Sequence, residues 1–276
     1  METTFDLWSR LEKSGHPLTR PAVGANPPRP YDSPAGQGIG MGTGVVDIHG
    51  TTVIAVKYAD GVITVGDRRA TAGFAVMYDR SEKVLPIDDY TLLAISGSFA
   101  QAMEAVRFLR TSFKLYERTY LQQMSLEGKL AELAKVVRSG IPNALQGIGG
   151  FIPILTTYDR ENSEGRIFFY DGMGARFESA EFGAAGSGSM QIRGIFDYIV
   201  KTKKPFHLMT REEALTEALF LLDIAADLDA ATGGWAKVLP LATTISSEGI
   251  QDIPEAELRA LCSDIDSRSG RVMPKR

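Results

Sequence analysis

The fold of this chain is decided by one stretch of sequence, Gly50-Thr-Thr-Val-Ile-Ala-Val-Lys-Tyr-Ala-Asp-Gly-Val-Ile-Thr-Val-Gly-Asp67. It contains two apolar runs rich in β-branched residues, 53–58 and 62–65, with Asp60-Gly61 in the short connection between them. An Asp-Gly pair between two strand-like runs predicts a β-hairpin, because glycine tolerates the positive φ that tight hairpin turns use. The two ends of the stretch would then lie side by side.

The ends of this hairpin carry a candidate nucleophile, because Thr51 is expected beside Asp67. A hydroxyl nucleophile needs a base, and a threonine exposed as a new N-terminus carries one in its own α-amino group. The unperturbed pKa of such an amine is about 7.7–8, which suits proton transfer near neutral pH. Gly50 offers the least steric hindrance where the backbone must fold back for Thr51 Oγ to attack the preceding carbonyl. The ordinary alternative is that Thr51 is only the first residue of a strand.

The composition is that of an ordinary globular protein, and it excludes several classes of partner. The 276 residues, 44% hydrophobic and 23% charged, suffice for one large domain or two small ones. A net charge of −4 gives no reason to expect a nucleic acid or an anionic membrane as partner. No run approaches the ~18–20 uncharged apolar residues of a membrane-spanning helix, and the N-terminus does not resemble a secretory signal. We therefore expect a cytoplasmic protein.

The scarcity of cysteine and histidine narrows the possible chemistry. Cys262 is the only cysteine, so no intramolecular disulfide can form, and we expect it to be a buried side chain rather than a reactive thiol. The histidines are His16, His49 and His207, which do not have the spacing of a zinc site. A histidine-based triad is not expected either, because the Gly-x-Ser-x-Gly elbow is missing. The sequence thus predicts a mechanism without metal or cofactor.

The first 50 residues differ in kind from the rest of the chain. Prolines crowd positions 21–34 and glycines crowd positions 36–44. Such a segment cannot bury enough apolar surface to offset its ordering entropy, so it is expected to be flexible. Together with Thr51 it is interpreted as a removable propeptide. The alternative is a disordered tail that stays attached.

The remainder alternates between strand-like and helical patterns. Strands are predicted at 53–58, 62–65, 73–77, 83–95, 151–158, 166–170, 177–182, 239–246 and 250–253. Helices are predicted from a capping box at Ser98 and Gln101 to about Tyr120, and at 125–146, 189–200, 212–228 (after a capping box at Thr210 and Glu213) and 255–262. The order is strands, two helices, strands, two helices and strands. It predicts an α+β fold in which pairs of helices cover two packed sheets.

Two segments, Gly50-Thr-Thr-Val-Ile-Ala-Val-Lys-Tyr58 and Gly66-Asp-Arg-Arg-Ala-Thr71, resemble a known family. They are similar to the mature start of a catalytic proteasome β subunit of the bacterial, actinobacterial-type 20S proteasome. That family belongs to the N-terminal-nucleophile hydrolases, whose precursors cut themselves immediately before the threonine. The resemblance implies a four-layer αββα sandwich. It also implies that residues 1–50 are an autocatalytically removed propeptide and that residues 51–276 form the catalytic domain.

The same resemblance covers Thr51 to about Gly270 and assigns roles to residues within that range. Thr51 would be the nucleophile, Asp67 would orient Lys83 and the amine, and Lys83 would supply positive charge that lowers the pKa of the hydroxyl. The other implied site residues are Arg69 as support, Gly97 as the oxyanion donor, and Ser187, Asp229 and Thr232 as the groups that hold the amine and a water. The implied substrate pocket consists of Ala70, Ser81, Leu85, Ile95, Phe99 and Met103.

Several of these residues also have an ordinary explanation. Asp67 could make an Asx turn at a strand end, and Lys83 could be a solvated surface lysine. Gly97 could mark a strand-to-helix turn, and the glycines around Ser187 could form a plain loop.

The function implied by the resemblance is that of a threonine endopeptidase of the proteasome endopeptidase complex. It would hydrolyse unfolded polypeptides through an acyl-enzyme at Thr51. The expected partners are six further copies in a homo-heptameric β ring, α-subunit rings stacked on it, and a regulatory ATPase acting through the α ring. Three alternatives stay open: an HslV-type ATP-dependent threonine peptidase, another self-processing amide hydrolase, or a non-catalytic structural ring subunit of the β type.

Overall fold

The computed structural model describes residues 50–72, 75–145 and 150–270. The predicted propeptide therefore lies outside the described residues, except for Gly50, and so do the first two residues of the strand predicted at 73–77. Within the described ranges, none of the helices is long and apolar enough to cross a membrane.

The described residues form twelve strands and six α-helices. The strands are β1 (Thr52–Tyr58), β2 (Gly61–Gly66), β3 (Ala70–Ala72), β4 (Ala75–Tyr78), β5 (Val84–Asp88), β6 (Thr91–Ala94), β7 (Ile154–Asp159), β8 (Glu164–Tyr170), β9 (Arg176–Ser179), β10 (Phe182–Gly186), β11 (Leu241–Ser246) and β12 (Gly249–Asp252). The helices are α1 (Phe99–Tyr120), α2 (Leu126–Ser139), α3 (Ile141–Leu145), α4 (Ser189–Thr202), α5 (Arg211–Leu228) and α6 (Glu255–Arg268).

Ten of these strands build two antiparallel sheets of five strands each, and β3 and β4 form a separate ribbon. The first sheet has the order β10-β1-β2-β11-β12, and the second has the order β5-β6-β7-β8-β9. Because β1 lies between β10 and β2, the strand that follows Thr51 is an interior strand of its sheet.

The alternation of side chains along β1 explains the layering. Val53 and Ala55 lie in the apolar layer between the two sheets. Ile54 and Val56 point to the opposite face, where they pack against α4 and α5. A separate apolar cluster joins the second sheet to α1 and α2. Each aliphatic side chain buried in these layers contributes about 1.5–3 kcal/mol. The predicted four-layer αββα sandwich is confirmed.

The hairpin of β1 and β2 is confirmed, but the reason given for its glycine is wrong. Tyr58 pairs directly with Gly61, so the turn consists of the two residues between them. Gly61 is not among the described residues with positive φ. A Cβ at this position would lie 1.9 Å from the carbonyl oxygen of Ile245 in β11. Glycine is therefore required by the close approach of the neighbouring strand.

Two predicted helix boundaries differ from the structure. The helix predicted at 125–146 ends at Ser139, because the Gly140 N–H turns back to the Val137 carbonyl at 3.1 Å. Pro142 then has no N–H with which to continue the helical ladder, and α3 follows as a separate short helix. The helix predicted at 255–262 continues to Arg268.

Only one of the two predicted capping boxes forms. The Thr210 hydroxyl accepts from the Glu213 N–H at 3.2 Å, and the Glu213 carboxylate accepts from the Thr210 N–H at 2.8 Å. At α1 the prediction is wrong, because the Ser98 side chain makes no capping hydrogen bond. The Ser98 N–H bonds instead to the Gly150 carbonyl at 2.8 Å, and the Gln101 Oε1 is buried without a partner.

Two of the predicted strands are each a pair of strands. The range 83–95 folds as the hairpin of β5 and β6. The range 177–182 contains the end of β9, which pairs with β8, and the start of β10, which pairs with β1. The chain thus crosses from one sheet to the other between Ser179 and Phe182.

The strand register brings four chain segments together at one end of the first sheet. Thr52 pairs with Gly186 of β10, and Val53 pairs with Gly66 of β2. Leu241, the first residue of β11, pairs with the same Gly66. The start of β1, the end of β2, the end of β10 and the loop before β11 therefore meet at one place.

Candidate active site

Thr51 lies immediately before β1 and is buried, with 5% of its surface exposed. The Thr51 Oγ1 donates to the carbonyl oxygen of Gly50 at 2.6 Å, so the candidate nucleophile contacts the carbonyl group of the bond before it. A Cβ at Gly50 would lie 2.3 Å from the Thr71 Oγ1, which leaves no room for a side chain there.

Asp67 directly follows β2, is fully buried and accepts four hydrogen bonds. Its Oδ1 accepts from the Thr52 N–H and from the Lys83 Nζ, both at 2.7 Å. Its Oδ2 accepts from the N–H groups of Arg69 and Gly233, both at 2.9 Å. Four donors match the capacity of a carboxylate, so its orientation is fixed from all sides. The explanation as a simple strand-end turn accounts for only one of these bonds.

Lys83 directly precedes β5 and is 1% exposed, so the interpretation as a solvated surface lysine is wrong. Its Nζ contacts three acceptors: the Asp67 Oδ1, the Gly50 carbonyl oxygen at 2.9 Å and the Arg69 carbonyl oxygen. Three acceptors match the three N–H donors of an ammonium group. Burial lowers the pKa of Lys83, while the charge of Asp67 and its hydrogen bond oppose that effect. The three contacts favour the protonated form of the group, against the effect of burial.

Arg69 connects the Asp67–Lys83 pair to the segment after β4 and to the loop between α5 and β11. Besides its backbone contacts to Asp67 and Lys83, its Nε donates to the Asp79 Oδ1 at 3.1 Å. Its guanidinium also donates to the Ala230 carbonyl oxygen at 3.0 Å, in the loop between α5 and β11. Arg69 therefore fixes the backbone that surrounds the Asp67 carboxylate.

A second polar cluster lies beside Thr51. The Asp229 Oδ2 accepts from the hydroxyls of Ser187 and Thr232, both at 2.6 Å. The Ser187 Oγ is also 3.2 Å from the Thr51 carbonyl oxygen. The structure thus brings Ser187, Asp229 and Thr232 together and joins them to Thr51 through Ser187.

The proteasome subunit family model matches residues 48–239 of this chain. The chain belongs to the proteasome subunit family. Curated relatives include proteasome subunit beta 1 of Streptomyces avermitilis, which is 38% identical over 224 residues (79% of this chain and 76% of the relative). Proteasome subunit beta of Streptomyces griseus is 34% identical over 223 residues (80% and 77%). Proteasome subunit beta 2 of Thermomonospora curvata is 34% identical over 220 residues (79% and 76%). Within the family the chain is therefore a β subunit, and its family membership implies a peptidase.

In this β subunit, Gly97 lies between β6 and α1 with a φ of 86°, which favours glycine. It forms an isolated antiparallel bridge with Phe151, and the hydrogen bonds of that bridge run through the flanking residues. The Gly97 N–H takes part in neither bond. Among the hydrogen bonds of the described ranges, none joins Gly97 to the Thr51 cluster, so its role as an oxyanion donor stays a prediction.

The predicted substrate pocket is brought together in part. Leu85 and Ile95 belong to the apolar cluster beneath α1, and Phe99 and Met103 pack against that cluster. The two remaining residues, Ala70 in β3 and Ser81 after β4, lie outside it. The Ser81 N–H bonds to the Arg68 carbonyl at 2.9 Å, in the segment that leads to Ala70. A single pocket lined by all six side chains stays a prediction.

Sequence reasoning missed one residue of the polar cluster in this β subunit, Thr52. Its side chain is fully buried, and its Oγ1 lies 2.6 Å from the Thr232 Oγ1 and 3.1 Å from the Gly188 nitrogen. The sequence contained an indication of this role. Side chains two residues apart in a strand point to the same face, so Thr52 lies on the face of Ile54 and Val56, which is buried against the helices. A hydroxyl on such a face needs a hydrogen-bond partner.

Proposed function

We propose that this β subunit is a threonine endopeptidase whose nucleophile is the Thr51 hydroxyl after self-cleavage of the Gly50–Thr51 bond. The observation that carries the proposal is a shared contact. The Thr51 Oγ1 and the Lys83 Nζ both reach the Gly50 carbonyl oxygen, at 2.6 and 2.9 Å, inside a buried site. A purely structural subunit has no need for a buried cation on that carbonyl. In this proposal residues 1–50 are removed and residues 51–276 remain as the catalytic domain.

Self-cleavage begins when the Thr51 Oγ attacks the Gly50 carbonyl carbon. Negative charge then develops on the carbonyl oxygen, where the Lys83 ammonium already donates a hydrogen bond. A preorganised donor of this kind is worth about 3–4 kcal/mol to the transition state. As the C–N bond breaks, the hydroxyl proton passes through a water to the Thr51 nitrogen, and an ester remains. Water hydrolyses the ester to the Gly50 carboxylic acid and regenerates the Thr51 hydroxyl.

Cleavage changes what the Thr51 nitrogen and the Lys83 ammonium group can do. The Thr51 nitrogen becomes an amine that can accept a proton, which an amide cannot do, and it serves as the base in substrate turnover. Lys83 loses its contact to the Gly50 carbonyl, so one N–H becomes available to the Thr51 hydroxyl and lowers its pKa. Asp67 keeps Lys83 in place through the 2.7 Å contact. The hydroxyl then attacks the substrate carbonyl, and the resulting acyl-enzyme is hydrolysed by water.

Membership of the proteasome family supports the further parts of the proposal. Seven copies form a ring that stacks with rings of α subunits in the cytoplasm, and an ATPase feeds unfolded polypeptides through the α ring. The predicted pocket is apolar and uncharged, so Leu85, Ile95, Phe99 and Met103 would accept many side chains. A protease of such broad specificity is kept away from folded proteins when its active sites are enclosed inside stacked rings.

The test replaces Thr51 by alanine and by serine. Thr51→Ala should give a folded, full-length chain that neither cuts itself nor hydrolyses fluorogenic peptides. Thr51→Ser should cut itself and keep partial activity, because it retains the hydroxyl. Thr216→Ala is the matched control, because the Thr216 hydroxyl only bonds the Glu212 carbonyl within α5. Intact-mass spectrometry and peptide hydrolysis are measured in protease-free preparations. Maturation and peptide hydrolysis by Thr51→Ala would contradict the proposal.

A further inference from the structure

We infer that Thr52 is a positioning residue whose hydroxyl fixes the direction of the Thr232 hydroxyl and so holds the Asp229–Ser187 pair beside the Thr51 amine. The inference deepens the proposed function and rests on it. The Thr52 side chain is fully buried, and its Oγ1 has two polar neighbours, the Gly188 N–H at 3.1 Å and the Thr232 Oγ1 at 2.6 Å.

The directions of these hydrogen bonds follow from the number of protons available. A carboxylate only accepts, so the single proton of Thr232 goes to the Asp229 Oδ2 at 2.6 Å. The 2.6 Å contact between the two threonine hydroxyls then requires the proton of Thr52. Thr52 in turn accepts the Gly188 N–H. The chain of donors therefore runs in one direction, from Gly188 through Thr52 and Thr232 to Asp229.

This chain leaves Ser187 as the hydroxyl of the cluster that has a choice of acceptor. Its proton can go to the Asp229 Oδ2 at 2.6 Å or to the Thr51 carbonyl at 3.2 Å. While Ser187 donates to Asp229, its lone pairs are available to the Thr51 amine. A misplaced Asp229 would release Ser187 and change the proton affinity of that amine.

The start of the donor chain is anchored by secondary structure. Gly188 is the N-cap of α4, where backbone N–H groups have no partner within the helix. The Thr52 hydroxyl satisfies the Gly188 N–H, and Thr52 is itself held in β1 by its pairing with Gly186. A hydroxyl at Thr52 thus joins the sheet, the N-terminus of α4 and the loop that carries Asp229 and Thr232.

The competing explanation is that Thr52 is only a well-packed strand residue. Valine has nearly the same shape and is also enriched in strands, but it lacks the hydroxyl. A packing role therefore predicts that Thr52→Val behaves as wild type once folded. A positioning role predicts a defect that serine repairs, because serine restores the hydroxyl and lacks the methyl group.

The experiment compares wild type, Thr52→Val and Thr52→Ser as fully processed, assembled particles, with peptide hydrolysis measured from pH 5 to 10. We expect kcat of Thr52→Val to fall about tenfold with KM within about twofold, the size of one lost hydrogen bond to a buried partner. The apparent pKa of the acidic limb in kcat/KM should shift as well. Thr52→Ser should recover most of kcat and the wild-type pH profile. If Thr52→Val does not accumulate in folded form, Thr52→Ala replaces it, because alanine and serine at this position differ only in the hydroxyl.

Two results would overturn the inference. One is wild-type kcat and pH profile in Thr52→Val or, where it replaces that variant, in Thr52→Ala. The other is a defect of equal size in Thr52→Ser, which would point to packing. A failure of the proposed function is recognised separately, because Thr51→Ala would then be as active as wild type whatever residue stands at position 52.

Discussion

Removing one member of the buried Lys83–Asp67 pair should strongly destabilise the uncut chain. In Lys83→Met the Asp67 carboxylate keeps three backbone N–H donors but loses its countercharge. The carbonyl oxygens of Gly50 and Arg69 lose the donor that they share. Breaking a buried ion pair costs about 3–5 kcal/mol of unfolding free energy. That is a large part of the roughly 5–15 kcal/mol that stabilises a domain.

The same pair allows a double-mutant cycle. In Asp67→Asn the amide nitrogen faces two donors whichever way the side chain is turned, and Lys83 is left as an unpaired buried cation. We expect a similar loss of about 3–5 kcal/mol. The double variant has no unpaired charge. Its loss should therefore be smaller than the sum of the single losses by about 2 kcal/mol, within the range measured for residues in direct contact.

The cycle is measured by urea unfolding in the Thr51→Ala background, so that all four proteins keep the leader. The dependence of the unfolding free energy on urea should have the same slope in each, because the same surface is exposed on unfolding. If the two losses add to within about 0.5 kcal/mol, the charges do not interact, and the proposal that Asp67 orients Lys83 by charge would be refuted.

Two further predictions concern a thiol and the scissile glycine. Burial raises the pKa of the Cys262 thiol to about 12, and the charge of Asp266 adds to the effect. At pH 8 a thiol reagent should therefore label Cys262 slowly in the native protein and quickly in urea. Fast labelling of the native protein would show that the thiol is exposed. Gly50→Ala should slow self-cleavage by about 10²-fold, because a Cβ there would lie 2.3 Å from the Thr71 Oγ1 and 2.7 Å from the Ala231 carbonyl oxygen. The cleavage rate is measured by intact-mass spectrometry. Gly194→Ala is the control, because a Cβ at Gly194 meets no atom within 4 Å; equal cleavage rates in the two variants would contradict a tightly held scissile bond.

The layers of the fold could be predicted from sequence because they depend on local periodicity. Alternation in 53–58 and 62–65 gives a hairpin with two buried faces, and the helical spacings give the helices that cover them. The errors occur where distant segments decide. Gly61 is set by the approach of Ile245, and the split of 177–182 is set by which sheet each half joins. Neither effect can be predicted from the local order of apolar and polar residues.

The candidate site was predictable only through its resemblance to known sequences. Spacing in the stretch 50–67 suggests that Thr51 and Asp67 are close, but nothing local singles out Lys83, 16 residues from Asp67 in sequence. Three of the four donors to Asp67 are backbone N–H groups, those of Thr52, Arg69 and Gly233. Backbone donors carry no signature in the residue type, and Gly233 lies 166 positions away.

The interior position of β1 has a consequence for the N-terminus that the proposed cleavage would create. Chain ends usually fray, because their first residues have few partners. Here the terminus would begin one residue before a strand bordered on both sides, with Thr52 opposite Gly186 and Val53 opposite Gly66. The Thr52 N–H is further tied to Asp67 at 2.7 Å. Cutting the chain would thus create an end without loosening it, and the freed amine would inherit the rigidity of the middle of a sheet.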